Sequence, residues 1–326
     1  MDLQINNMQG RIAQSSMLAR ADKNPFIESN TRSVELIHLK NDCIIPVFSK
    51  DMECTIAHHQ FIEATNLAAN TSFPKLEIQE PNIRASHIIK GRVPTAIGKP
   101  VKDLLDEEKT LYYERMMFKI DIPSIKDNVN GNELNLSLGG VRAYNQENLY
   151  SKKGYEKFKV FIGFKNLACT NLCVSSDGFV EELRASSIDE LKVKVLELLE
   201  NFNIERQLDI LKGMTEYFLT EKEFAKFLGK CRMYNYLTRK EKDSIPNLLL
   251  TDGQIGAVTK GYYEDESFSR NIDGTVSLWH LYNLLTGSNK SSYIDSFLSR
   301  SVNAHDLVYS LVNSLKNQTY NWFLDN

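Results

Sequence analysis

Three stretches of two-residue alternation constrain this chain more than anything else in it. In residues 116–122, Met116, Phe118, Ile120 and Ile122 alternate with Met117, Lys119 and Asp121, the period of a half-buried strand. Pro123 is predicted to end that strand, since proline cannot donate to a ladder. Past the turn signal Asn130-Gly131, Leu134, Leu136 and Leu138 alternate with Asn135 and Ser137, which predicts a hairpin whose connection is longer than a tight two-residue turn. In residues 157–165, Phe158, Val160, Ile162 and Phe164 point one way, and Lys157, Lys159, Phe161, Gly163 and Lys165 the other. The second face is expected to look outward, basic with one aromatic.

From Ser187 the period changes to that of a helix. Ser187-Ile-Asp-Glu190 has capping-box spacing, and Ile188, Leu191, Val195, Leu198, Leu199 and Phe202 then fall on one stripe. Thr220-Glu-Lys-Glu223 opens a second helix burying Phe224, Phe227, Leu228 and Cys231, and Leu307, Val308, Leu311, Val312 and Leu315 mark a third near the C-terminus. Strands first and helices afterwards, without regular alternation, predict an α+β fold. An antiparallel sheet occupies its N-terminal and central part, and a mostly helical layer its C-terminal part. The expected division is a polar arm over 1–30, an α+β core over 31–186, and a mainly helical part over 187–326 packed on the same core. Within the core, residues 42–48 (DCIIPVF) read as a short strand near an edge, and residues 60–70 as a helix packing through Phe61, Ile62 and Ala68.

The 326 residues are 42% hydrophobic, enough for a real core, and their net charge of −3 provides no global pull toward nucleic acid. No stretch approaches the apolar length of a membrane span and the first residues carry no signal-peptide pattern, so a cytoplasmic protein is expected. Five cysteines without a CxxC pair fit reduced thiols.

Catalytic patterns are missing. Gly98-Lys99 and Gly229-Lys230 have Val93 and Phe224 where a P-loop needs its first glycine, and there is no GxGxxG, GxSxG or HExxH. His58, His59 and His87, and the pair Cys169 and Cys173, lack the spacing of a metal site, so neither metal nor cofactor is expected. Trp279, His280 and Tyr282 read as helix packing.

Two basic segments remain. Residues 81–102 contain no acid while Arg84, Lys90, Arg92, Lys99 and Lys102 add five positive charges. Between Gly139 and Lys165, Arg142, Lys152, Lys153, Lys157, Lys159 and Lys165 stand against Glu147 and Glu156, interleaved with Tyr144, Tyr150, Tyr155 and Phe161. Phosphate neutralisation with base stacking on aromatics is how single strands are gripped without sequence reading. The same composition also serves a plain solvated sheet face, where lysines discourage edge pairing and tyrosines cap a core.

The segments NPFIESNT (24–31), HLKNDCIIPVFSKD (38–51), SHIIKGRVP (86–94), YYERM (112–116), GGVRAYNQENLYSKKG (139–154) and EKFKVFIGFKNLACTNLCV (156–174) resemble an uncharacterised domain-of-unknown-function family of the Bacteroides group. More distantly, the succession of a Val-Arg step, an aromatic-basic strand, Cys169-Thr-Asn171 and SLWHLYNLLTG (277–287) is similar to the phage/plasmid-like protein family. The resemblance implies a setting of mobile DNA and brings no established site residues.

Three readings follow. In the first the protein is a non-enzymatic nucleic-acid-binding factor for single-stranded DNA or RNA. Arg142, Lys152, Lys153, Lys157, Lys159 and Lys165 then contact phosphates, Tyr144, Tyr150 and Phe161 offer stacking surfaces, and Arg84, Lys90 and Arg92 extend the patch. In the second it is a protein-interaction module that binds or inhibits a host protein through its helical C-terminal half, with Tyr262, Tyr263 and Phe268 on the partner face. A metal-dependent nuclease is the third, and needs carboxylates such as Glu264, Asp265 and Glu266 gathered in a cleft.

Overall fold

The computed structural model describes residues 24–43, 55–146 and 155–325. The N-terminal part contributes β1 (Arg32–Val34), α1 (Leu36–Asn41), α2 (His58–Ser72), β2 (Asn82–Arg92), β3 (Lys109–Val129), β4 (Asn132–Ala143), β5 (Glu156–Asn166), β6 (Leu172–Cys173) and β7 (Phe179–Ala185). After them come α3 (Ile188–Asn201), α4 (Ile204–Gly213), β8 (Phe218–Leu219), α5 (Glu221–Tyr234), α6 (Arg239–Lys242), α7 (Asp252–Glu264), β9 (Val276–Ser277), α8 (Leu278–Asn289) and α9 (Ile294–Asn317). The fold is α+β, as the change of period predicts.

The main sheet is antiparallel in the order β1-β2-β3-β4-β5, and β6 and β7 share the far edge of β5. Its register follows from the alternation. Ile120 faces Leu138, which faces Ile162; Ile122 faces Leu136, which faces Phe164. Cross-strand partners share a face, so one side of the sheet becomes continuously apolar. Helix α2 covers it with Phe61, whose ring meets Phe118 edge-on at 5.1 Å and Phe158 at 4.8 Å. A β-carbon on Gly140 would collide with both the Phe61 ring and the Lys159 backbone carbonyl, so glycine there lets the helix and the neighbouring strand approach.

Strand β3 runs past Pro123 to Val129, beyond its expected end. The register shifts between Ile122 and Lys126, and this irregularity takes up the residue that cannot donate a ladder hydrogen bond. The hairpin is also tighter than expected. Val129 pairs with Asn132, leaving Asn130 (φ 50°) and Gly131 (φ 82°) as a two-residue turn with both centres left-handed.

The helical half obeys its caps. The Ser187 side chain accepts from the Glu190 N–H, and Thr220 and Glu223 form the reciprocal box. Two more boxes, Thr238 with Glu241 and Thr251 with Gln254, open α6 and α7. Of the expected stripe, Leu191, Val195, Leu198 and Leu199 are buried on α3 and Ile188 is not.

The other face of the sheet departs furthest from expectation. Met117, Val141 and Phe161 form a second apolar cluster with Leu172, Val174, Phe26 and Ile27, closed by Ile294, Phe297 and Leu298 from the first turns of α9. The described core therefore begins at Phe26, inside the segment expected to be a polar arm. Backbone N–H groups of Glu28 and Ser29 donate to the Lys290 carbonyl and tie it down. The strand expected over 42–48 lies mostly outside the described residues.

Two substitutions separate turn geometry from packing. Gly131→Ala should destabilise by about 1 kcal/mol through its left-handed backbone. Gly140→Ala should cost more, up to about 3 kcal/mol, because Phe61 has to move. Urea unfolding midpoints of the two variants check the order.

Candidate interaction site

The basic face of β5 exists, yet its cations are already engaged. Lys165 and Lys119 both donate to the Asp121 carboxylate, the latter at 2.5 Å, and Ser137 donates to the same side chain. Lys159 reaches Glu181 (3.2 Å), the Asp295 carbonyl (2.9 Å) and the Ser299 hydroxyl (3.1 Å), and Lys157 pairs with Glu182 (2.9 Å). Arg84 donates to the hydroxyl and carbonyl of Thr31. Phe161 is fully buried in the second cluster. The expectation of an outward stacking face is corrected on this point. Alternation separates the two faces of a strand, and the 24–29 segment and α9, distant in sequence, cover the polar one.

Two ammonium groups sharing one buried carboxylate have electrostatic consequences. Burial pushes the Lys119 amine down from 10.5 to about 8, against the opposing pull of Asp121. Burial alone would raise the Asp121 carboxyl, but Lys119, Lys165 and Ser137 outweigh it and hold the group below its ordinary range.

Arg142 and Tyr144 lie on the opposite, apolar side. Arg142 is fully buried between the rings of Tyr144 (4.7 Å) and Phe158 (4.5 Å), donating to the Ile56 carbonyl and to Glu156. Glu156 in turn accepts the Ile56 N–H at 2.9 Å, just before α2 begins. Tyr144 is 2% exposed and stacks on His58 at 4.4 Å. His58 also bonds the Tyr113 carbonyl, and burial followed by Arg142 pulls its imidazole down to about 3. These side chains pin α2 to the sheet and present no stacking surface. Tyr150, Lys152 and Lys153 lie outside the described residues.

The other candidates disperse. Among the described residues no three His, Cys, Asp or Glu side chains are grouped to hold a metal ion. Burial raises the thiols of Cys169, to about 11, and Cys173. Tyr262 and Phe268 are buried, with Tyr262 donating to the Gly274 carbonyl at 2.6 Å, so Tyr263 alone of that expected partner face is exposed. Asp265 caps the backbone of Ser267 and Phe268, and Glu264 pairs with Lys260.

A different feature stands out from the sheet. β1 pairs with β2 only over 83–85, and β4 stops opposite Arg115. Residues 86–92 and 109–115 continue to pair with each other, forming a two-stranded ribbon about 20 Å long at the usual strand rise. His87, at φ 54°, interrupts its outer edge with a left-handed residue, a device that discourages further strand pairing. The tip, residues 93–108, is ordered by its own bonds. Val93 N–H meets the Glu108 carbonyl at 2.9 Å, Arg92 donates to the Lys99 carbonyl, and Lys99 pairs with Glu108. The Lys99 ammonium and the Leu105 N–H hold the Glu108 carboxyl below its ordinary range.

That tip exposes Ile97 (76%), Val101 (72%) and Leu105 (55%). The acid-free run of 81–102 also changes meaning there. Over residues 87–114, Lys90, Arg92, Lys99, Lys102 and Lys109 are matched by Asp103, Asp106, Glu107, Glu108 and Glu114. The ribbon as a whole is electrically balanced, and its tip sets these three aliphatic side chains among Lys99, Lys102, Asp103, Asp106, Glu107 and Glu108. Sequence reading missed these aliphatic residues because they carry no period, and only their placement beyond the sheet distinguishes them from core.

Comparison with known proteins finds one family model, described as "Domain of unknown function, B. Theta Gene description (DUF3871)", matching residues 8–324. No curated protein and no solved structure matches the chain. No helix among the described residues is long and apolar enough to cross a membrane.

The Asp121 network makes a signed prediction. Asp121→Asn leaves Lys119 and Lys165 facing a neutral amide and should destabilise by about 3 kcal/mol. Lys119→Met tests the amine itself. As pH rises from about 8 toward 10.5, the folded chain releases a proton that the unfolded chain still holds, so the native protein gains stability. Relative to Lys119→Met that gain should approach about 3 kcal/mol across the window. Urea unfolding at a series of pH values reads it; parallel curves for the two proteins would remove the buried cation.

Proposed function

The chain belongs to the DUF3871 family, and we propose that it acts as a protein-interaction module docking through the β2–β3 ribbon. The observation that carries this reading is the exposure of Ile97, Val101 and Leu105 at the internally bonded tip of that ribbon. Exposed aliphatic residues cost nothing unusual singly, but three within one short tip suit insertion into an apolar cleft. Burying each contributes about 2 kcal/mol, which makes an anchor, and the flanking strands supply the remaining area. The partner class is a folded protein. In the mobile-DNA setting that the sequence resemblance implies, a host protein bound or inhibited by the ribbon is its natural form.

The nucleic-acid reading has weaker support. Of its candidate cations, Lys159 and Lys165 are committed to Glu181 and Asp121, Lys157 pairs with Glu182, and Arg92 donates to the Lys99 carbonyl on a ribbon whose charges sum to zero. Counterion release needs cations that are not already neutralised.

The test compares the native chain with Ile97→Asp/Val101→Asp in nuclease-treated capture and in binding to a labelled single-stranded oligonucleotide. Both positions are exposed, so the thermal midpoint should not change. One stoichiometric protein retained by the native chain and lost by the variant supports docking. Salt-sensitive oligonucleotide binding abolished by Lys90→Glu/Arg92→Glu, with no retained protein, overturns it.

A further inference from the structure

A second surface, independent of the ribbon, lies at the far end of the helical half. The loop at 244–246, the last turns of α9 and residues 319–322 line an open surface cavity of about 300 Å³. None of its ten lining residues is charged. Hydroxyls come from Ser244, Ser310 and Thr319, an amide from Asn313, and ring surface from Tyr320 and Trp322. We infer that this cavity binds a neutral, hydroxyl-rich ring, a single sugar unit.

Chemistry narrows the ligand by elimination. A phosphate, carboxylate or nucleic-acid backbone would find no cation on the wall. The nearby Lys226 and Lys230 pair with Asp325 at 3.6 and 3.5 Å, and Lys230 also rests 4.7 Å from the centre of the Trp322 ring. A purely apolar ligand would leave the Asn313 amide without a partner. The volume is at the small end for ligand cavities, which suits one ring and excludes a dinucleotide.

The polar groups are available in the right form. Ser310 donates to the Leu307 carbonyl at 2.6 Å and accepts from the Asn321 amide at 3.3 Å, while Ser244 donates to the Glu241 carbonyl at 3.1 Å and keeps its oxygen lone pairs for a donor. No described group bonds the Asn313 side chain, whose amide offers a donor and an acceptor side by side, the complement of two adjacent ring hydroxyls. Tyr320, 66% exposed, provides a flat aromatic face for the C–H side of a sugar.

The chain provides its own reporter. Of its two tryptophans, Trp279 is buried and bonded to Asn132, whereas Trp322 lines the cavity. Intrinsic fluorescence is therefore titrated with millimolar glucose, galactose, mannose and N-acetylglucosamine, and in separate arms with inorganic phosphate and adenosine. The expected result is a saturable change with at least one sugar and none with phosphate or adenosine. Asn313→Ala should weaken it at least about tenfold, the loss of one or two hydrogen bonds. Tyr320→Ala should weaken it too, and its exposure keeps the test valid if the Asn313 variant folds poorly. No saturable response to any of the four sugars, a response to phosphate or adenosine instead, or sugar binding unchanged in both variants overturns the inference.

Discussion

Every side chain on β3, β4 and β5 must take one of two sides, and in this protein both sides are covered. That constraint organises the rest. The apolar side takes Phe61 from α2, which can approach because Gly140 has no side chain. The other side mixes Met117, Val141 and Phe161 with Lys119, Asp121, Ser137, Lys159 and Lys165, and it is closed by residues 24–29 and the start of α9. Closing a polar face requires each buried charge to find a partner, since an unpaired one would cost more than the burial gains. Hence the shared Asp121 carboxylate, the contacts of Lys159 to α9, and the depressed Lys119 amine.

The same closure redistributes where function can reside. Cations held by carboxylates across a covered sheet have little left to offer a phosphate, and an aromatic at zero exposure offers no ring. Among the described residues β2 and β3 outlast the pairing of both neighbours, with Tyr113 still packed in the core and exposed side chains at the far tip. The ribbon's three exposed aliphatic residues lie on a tip stiffened by the Lys99–Glu108 pair and the Val93–Glu108 bond, so docking would cost little ordering. Arg142 and Tyr144, attractive in sequence as a cation beside an aromatic, serve the fold by joining α2 to β4 and β5 through Ile56 and Glu156.

Much of the architecture was legible residue by residue. The alternation of Phe158, Val160, Ile162 and Phe164 against Lys157, Lys159 and Phe161 sorts the two faces correctly. Ser187 and Thr220 mark helix starts because their side chains meet backbone N–H groups three residues on, a local event. Local signals mislead where a neighbour compensates. Pro123 stops no strand because the ladder shifts register around it, and Asn130-Gly131 forms a tighter turn once β3 continues to Val129. Tyr262 and Phe268 look like interface aromatics in isolation, but Phe224 stacks on the first at 4.3 Å and both are buried.

The period of each segment, and with it an antiparallel sheet followed by capped amphipathic helices, is set by local residue order. Periodicity and capping depend on neighbours within a few residues, which is all a sequence displays directly. Tertiary packing alone makes Lys119, Lys159 and Lys165 interior while Lys157 stays exposed, brings Phe26 into the core and leaves Ile97, Val101 and Leu105 out of it. Those outcomes depend on which distant segment covers which face. Coverage is set by the path of the whole chain, with α9 returning across β3 and β4 after about half the sequence has intervened.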